Sequence, residues 1–147
     1  MKVKSKKFAR RKSAAFLWVI ALCSVVAGQA VENSSRSTIG YIHPNGTVEN
    51  AGRSTIGYFR DNGAVENSSR STIGYITDSG AVENSSRSTI GYVTSSGAVE
   101  NASRSTIGYI TTSGAVEDSS RRTIGYAKGI RREWAAAFFF FFFKPEK

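Results

Sequence analysis

Apolar residues in this chain come in short groups, and from Val31 to Tyr126 the groups recur with a single period. Val31, Val48, Val65, Val82, Val99 and Val116 stand 17 residues apart, as do Tyr41, Tyr58, Tyr75, Tyr92, Tyr109 and Tyr126. Gly40, Gly57, Gly74, Gly91, Gly108 and Gly125 keep the same step, and so do Arg36, Arg53, Arg70, Arg87, Arg104 and Arg121. A 17-residue unit is too short for a helix pair and reads as two short strands. The first strand is TIGYI (72–76), β-branched and aromatic apart from its glycine. Simple alternation puts Ile73 and Tyr75 on one face and Thr72, Gly74 and Ile76 on the other. The glycine inside the strand predicts close approach of a neighbouring group. A turn follows, PNG (44–46), DNG (61–63), DSG (78–80), SSG (95–97) or TSG (112–114), whose glycine supplies positive φ for a tight hairpin. The second strand is AVEN (81–84), and SSR (85–87) returns the chain to the next copy.

The order of the halves carries the architecture. The first copy is a lone VEN (31–33) and the last a lone TIGY (123–126), so five hairpins are complete and two orphan strands remain. If the orphans pair, the ring closes and no sheet edge is left open. The predicted fold is therefore all-β, with 17-residue β-hairpin repeats arranged radially in a closed ring. An open β-hairpin solenoid is the alternative, but it calls for atypical capping repeats that are missing at the first strand.

The chain divides into a signal peptide (1–30), the repeat domain (31–126) and a basic, Phe-rich tail (127–147). Lys2, Lys4, Lys6, Lys7, Arg10, Arg11 and Lys12 form a basic segment without an acid. A largely apolar run from Ala14 to Ala27 follows, with the small residues Gly28 and Ala30 just beyond. That is the order of a secretory signal, and the apolar run is short for a membrane span. Cleavage is expected after Gly28 or Ala30, and the location exported: periplasm, outer envelope or extracellular. The net charge of +9 belongs mostly to this leader, which holds seven of 20 bases and none of 11 acids. A nearly balanced remainder argues against nucleic-acid binding. The single cysteine, Cys23, lies in the apolar run, so the remainder has neither disulfide nor thiol chemistry.

The unit IGYI (73–76), DSG (78–80), AVEN (81–84) and SSR (85–87), with the leading signal peptide, resembles a bacterial family of small exported proteins described as five-fold β-flower proteins. The resemblance implies a radial all-β ring with hairpin petals, exported by a bacterium, and implies no biochemical activity. Five complete hairpins agree with the five-fold name, yet six copies of each strand exist, so the expected count is five or six.

Candidate chemistry is sparse. His43 is the only histidine and occupies one loop without partners set apart from the repeat, which favours a loop substitution over catalysis. No metal-ligand spacing, phosphate loop or triad is present, so no cofactor is expected. The six tyrosines are expected chiefly in the core; the competing reading makes Tyr41, Tyr58, Tyr75, Tyr92, Tyr109 and Tyr126 an aromatic platform for a glycan or peptide. Glu83 and Arg87, with their copies, are expected to form surface ion pairs across the turn.

The tail Trp134–Phe143 holds ten apolar residues flanked by Arg131, Arg132 and Lys144. As a helix it would reach only about 15 Å, half a bilayer core. Either it folds back and buries its rings in the repeat domain, or Trp134 and Phe138, Phe139, Phe140, Phe141, Phe142 and Phe143 dock on a membrane surface or partner. Folding back is favoured because a ring of short hairpins has little core of its own. The functional expectation is an exported, non-enzymatic repeat protein with a structural or ligand-binding role, its partner a glycan, an envelope protein or a membrane surface. The alternative is a cell-envelope protein anchored through the tail.

Overall fold

The computed structural model describes residues 27–145. The expected leader up to residue 26, with its basic segment and Cys23, lies outside the described residues. Twelve antiparallel strands close into one barrel. They are β1 Gln29–Asn33, β2 Thr38–Ile42, β3 Thr47–Asn50, β4 Thr55–Phe59, β5 Ala64–Asn67 and β6 Thr72–Ile76. The ring continues with β7 Ala81–Asn84, β8 Thr89–Val93, β9 Ala98–Asn101, β10 Thr106–Ile110, β11 Ala115–Asp118 and β12 Thr123–Tyr126. Every strand pairs with its neighbours in sequence, and the orphans pair with each other through Glu32↔Tyr126 and Asn33↔Gly125. The closed ring of hairpins is thus the observed fold, and its count is six hairpin units.

Two turns alternate around the ring. At the glycine end, the Gly46 N–H donates to His43 O, and Gly46 sits at φ +88°; Gly63, Gly80, Gly97 and Gly114 repeat this between +86° and +91°. A Cβ at Gly80 would run into the Val93 carbonyl, so only glycine fits. At the opposite end the Arg36 N–H donates to Asn33 O, while Asn33 Oδ1 accepts the N–H groups of Ser35 and Ser37. The residue left in the left-handed region there is arginine in all six copies, at φ 64–67°.

The barrel wall is thin, with strands of four or five residues, and its interior needs filling. Val31, Val48, Val65, Val82, Val99 and Val116 are all 0 % exposed and line it. Ile42, Phe59, Val93, Ile110 and Ala127 join them, with the matching Ile76 partly buried. The filling comes from the tail. After β12 the chain turns at Gly129 (φ +76°), enters at the glycine end as α1 Arg132–Ala136, and widens into a π-helical turn Ala137–Phe141. Arg132 Nη1 donates to the Ser95 carbonyl at the rim, Trp134 stacks on Phe59 with centroids 5.3 Å apart, and Ala135–Ala137 are wholly buried. The favoured expectation that the tail folds back is met. The outward-docking alternative for Trp134 and Phe138–Phe143 is not the arrangement seen: Trp134, Phe138 and Phe139 are buried in the core and Phe140–Phe143, partly buried, pack against it.

One expectation about the wall is overturned. Val65 pairs with Gly74 but Glu66 pairs with Thr72, so Ile73 is a bulge, and the same shift recurs at Ile39, Ile56, Ile90, Ile107 and Ile124. A bulge interrupts the two-residue alternation. The isoleucines consequently pack against the core, while the tyrosines two residues on stay on the outer face.

Candidate functional site

The inner site of the ring is its axis, where six phenylalanines meet six glycines. A Cβ placed on Gly57, Gly74, Gly91, Gly108 or Gly125 would come within 3.0 Å of the ring of Phe143, Phe142, Phe141, Phe140 or Phe139 respectively. At Gly40 the ring is that of Phe138, at 3.2 Å. Each successive phenylalanine therefore addresses the next repeat backwards around the barrel, and Phe143 returns beside Phe138 with centroids 6.2 Å apart. Six repeats divide the circle into steps of about 60°, whereas an α-helix advances about 100° per residue. A wider turn fits better, and the Phe142 N–H does donate to Ala137 O, five residues back. The glycine signal in the strand was correctly read as close approach; the approaching group is a tail phenylalanine.

The outer belt is built from three residues per repeat. Arg36, Arg53, Arg70, Arg87, Arg104 and Arg121 lie over the rings of Tyr126, Tyr41, Tyr58, Tyr75, Tyr92 and Tyr109, at 3.4–4.3 Å from the centroids. From Arg53 to Arg121 each arginine covers the tyrosine of its own hairpin, and Arg36 on Tyr126 does the same where β1 and β12 pair, closing the belt across the seam. The expected ion pairs form beside them: Arg87–Glu83, Arg104–Glu100 and Arg121–Glu117 at 3.1 Å, and Arg36–Glu32 and Arg53–Glu49 at 3.4 Å. In the remaining repeat Arg60 takes Glu66 instead, its Nε donating at 2.8 Å, and Arg60 and Arg70 both stack on Tyr58. Hydrogen bonding from Arg60 lowers the Glu66 pKa.

The expectation that the tyrosines fill the core is corrected here: all six are half-buried on the outside. As a platform they present rings whose faces already carry a guanidinium. What sequence reasoning missed is the arginine at positive φ, for which the repeat of Arg three residues after Asn in five copies and after Asp118 in the sixth was the available signal.

Departures from the repeat mark the remaining features. His43 Nε2 lies 3.1 Å from Glu49 Oε2, close enough for an ion pair but not aligned as a hydrogen bond, and Gly28 sits against the imidazole. His43 is the chief cause of the lowered Glu49 pKa. Asp118 replaces the turn asparagine; its Oδ1 accepts the Arg122 and Ser120 N–H groups, and the bond from the Arg122 backbone leads in lowering its pKa. Among the described residues no group of three His, Cys, Asp or Glu could hold a metal, and no helix is long and apolar enough to cross a membrane.

Comparison with known proteins gives one match. The model of a family described as "5-fold beta-flower protein" covers residues 28–143. No curated protein and no solved structure matches.

Proposed function

The chain belongs to the 5-fold beta-flower protein family, and from that membership we propose that it is an exported, non-catalytic ring with a structural or ligand-binding role. The observation that carries this reading is the self-filled axis. Six near-identical repeats surround the chain's own tail, so the centre of the ring is core, and recognition falls to the outer belt and the two ends. Catalysis calls for a single asymmetric constellation, whereas the belt repeats one Arg–Tyr–Glu unit. A glycan or an envelope protein is the partner class suited to such a multivalent surface.

Export is supported by the basic and apolar order of residues 1–27. Of the two expected cleavage points, the one after Gly28 suits the fold: Gln29 and Ala30 belong to β1 and pair with Ile42 and Tyr41. Fractionating the producing cells and sequencing the exported protein tests the proposal. A mature chain starting at Gln29 is expected, and Met1 retained in the mature form overturns the export reading. Crosslinking the exported protein to its surroundings, alongside a glycan array, tests the binding role. Absence of both a captured envelope component and a bound glycan leaves the structural role alone.

A further inference from the structure

The ring is nearly symmetric, so the place where its symmetry breaks is informative. Two departures from the repeat meet at the seam. Arg122 stands where the other copies have Ser37, Ser54, Ser71, Ser88 and Ser105, and Asp118 stands where they have asparagine. Both face a groove of about 620 Å³ at the end where the tail leaves the barrel. Its apolar surface includes Ile39, Ile124 and Phe139, and Lys144 of the tail also lines it. The volume falls within the range of about 300–1,000 Å³ usual for small-molecule sites.

We propose that this seam groove binds a single-chain amphiphile with a carboxylate head, such as a free fatty acid. The apolar surface takes the hydrocarbon chain. The head lies between Arg122 and Lys144, both exposed cations within reach of that surface. Arg122 is held in place by Asp118, with Nε and Nη2 each 3.0 Å from Oδ2, which leaves the other guanidinium edge for the ligand. A planar, forked donor suits a carboxylate. Asp118 also limits affinity, since it already neutralises part of the guanidinium charge. The other five repeats offer the matching isoleucine but a serine in place of the cation, so one molecule per ring is expected.

The inference rests on the ligand-binding reading above and names its ligand class. The test uses the purified full-length mature protein and dodecanoate below its aggregation threshold, followed by amide NMR. Saturable shifts at Ile39, Thr123, Ile124 and Phe139 are expected, with Ile56, Ile73 and Ile90 unmoved. Arg122→Ser restores the residue of the other repeats and so should leave the fold intact, yet weaken binding at least tenfold. Lys144→Ala should weaken it several-fold, and Asp118→Asn should strengthen it. Dodecanol should bind more weakly than dodecanoate. Shifts spread equally over all six isoleucines, an unchanged affinity in Arg122→Ser, or binding to anionic vesicles without binding to dodecanoate overturns the proposal. A glycan or protein bound at the belt with no dodecanoate bound at the seam would remove this inference while leaving the ligand-binding reading standing.

Discussion

Substituting Gly91 by alanine tests the docking of the tail most directly. In an ordinary strand Gly→Ala gains roughly 0.5–1 kcal/mol, because glycine loses more backbone freedom on folding. Here the new Cβ would meet the Phe141 ring within 3.0 Å and the Glu100 carbonyl oxygen at 2.5 Å. The carbonyl belongs to the neighbouring strand, and the ring is packed against the core, so neither yields freely. Overpacking of this kind costs about 1–3 kcal/mol. The expected result is a net loss of about 1–2 kcal/mol, opposite in sign to the strand propensity and equal to a fall of roughly 3–8 °C in Tm. A double-mutant cycle with Phe141→Leu apportions the cost. Leucine lacks the ring edge that lies over Gly91, so Gly91→Ala should cost at least about 1 kcal/mol less in that background. Urea unfolding of the four proteins supplies the numbers. If the two substitutions are additive, the ring does not press on Gly91 and the account of the plug fails, whatever each one costs alone.

The left-handed arginines make a second prediction: Arg87→Ala should cost about 1–2 kcal/mol through the lost Tyr75 stack and Glu83 pair, whereas Arg87→Gly, which sheds the φ strain, should be about 1 kcal/mol more stable than Arg87→Ala. Equal stability of the two variants would show that positive φ is not a burden there. Acid should destabilise the ring: Glu49, Glu66 and Asp118 have lowered pKa values in the fold, so the stability they contribute is complete above the ordinary carboxylate range and is lost as pH falls through the lower folded values. A urea midpoint that stays level or rises on acidification would contradict this. Finally, excising residues 71–87 joins Arg70 to Ser88 in frame and leaves six phenylalanines for five glycines. That protein should unfold at a lower temperature than one in which Phe142, the partner of Gly74, is removed as well, and the reverse order would refute the pairing of rings with repeats.

Most of the wall was legible because hairpin chemistry is local. TIGYI and AVEN coincide with β6 and β7 at both ends, and the glycines of the tight turns take the positive φ assigned to them. Closure was legible too, since an unpaired VEN at one end and an unpaired TIGY at the other have only each other. The facing of the strand residues was not. A bulge is a decision of the pair of strands, and Ile73 gives no sign within its own strand that Glu66 will skip to Thr72. That one skipped residue moves Ile73 toward the core and leaves Tyr75 outside, where Arg87 can cover it. The arginine conformation escaped for a related reason: glycine or asparagine is the usual occupant of a left-handed position, and part of what offsets the strain in Arg87 is Tyr75, brought beneath it only by the pairing of β6 with β7.

The tail shows how two unremarkable features can determine each other at long range. A glycine every 17 residues weakens a strand, and a run of six phenylalanines is a hazard in water. Together they are complementary: the glycines leave six recesses on the inner wall, and the run provides one ring for each. The match is of number as well as volume. A rod advancing 100° per residue would bring neighbouring rings to repeats nearly two apart, so the backbone opens to an i→i+5 turn at the layer where the rings fan out. Ring size and plug therefore constrain each other, and a family named for five-fold rings can hold a six-unit member provided that the filling of the axis changes with the wall. The count was present in the sequence as six TIGY glycines and six consecutive phenylalanines. Its meaning depended on the ring being closed, because only a closed ring makes the number of repeats an angle.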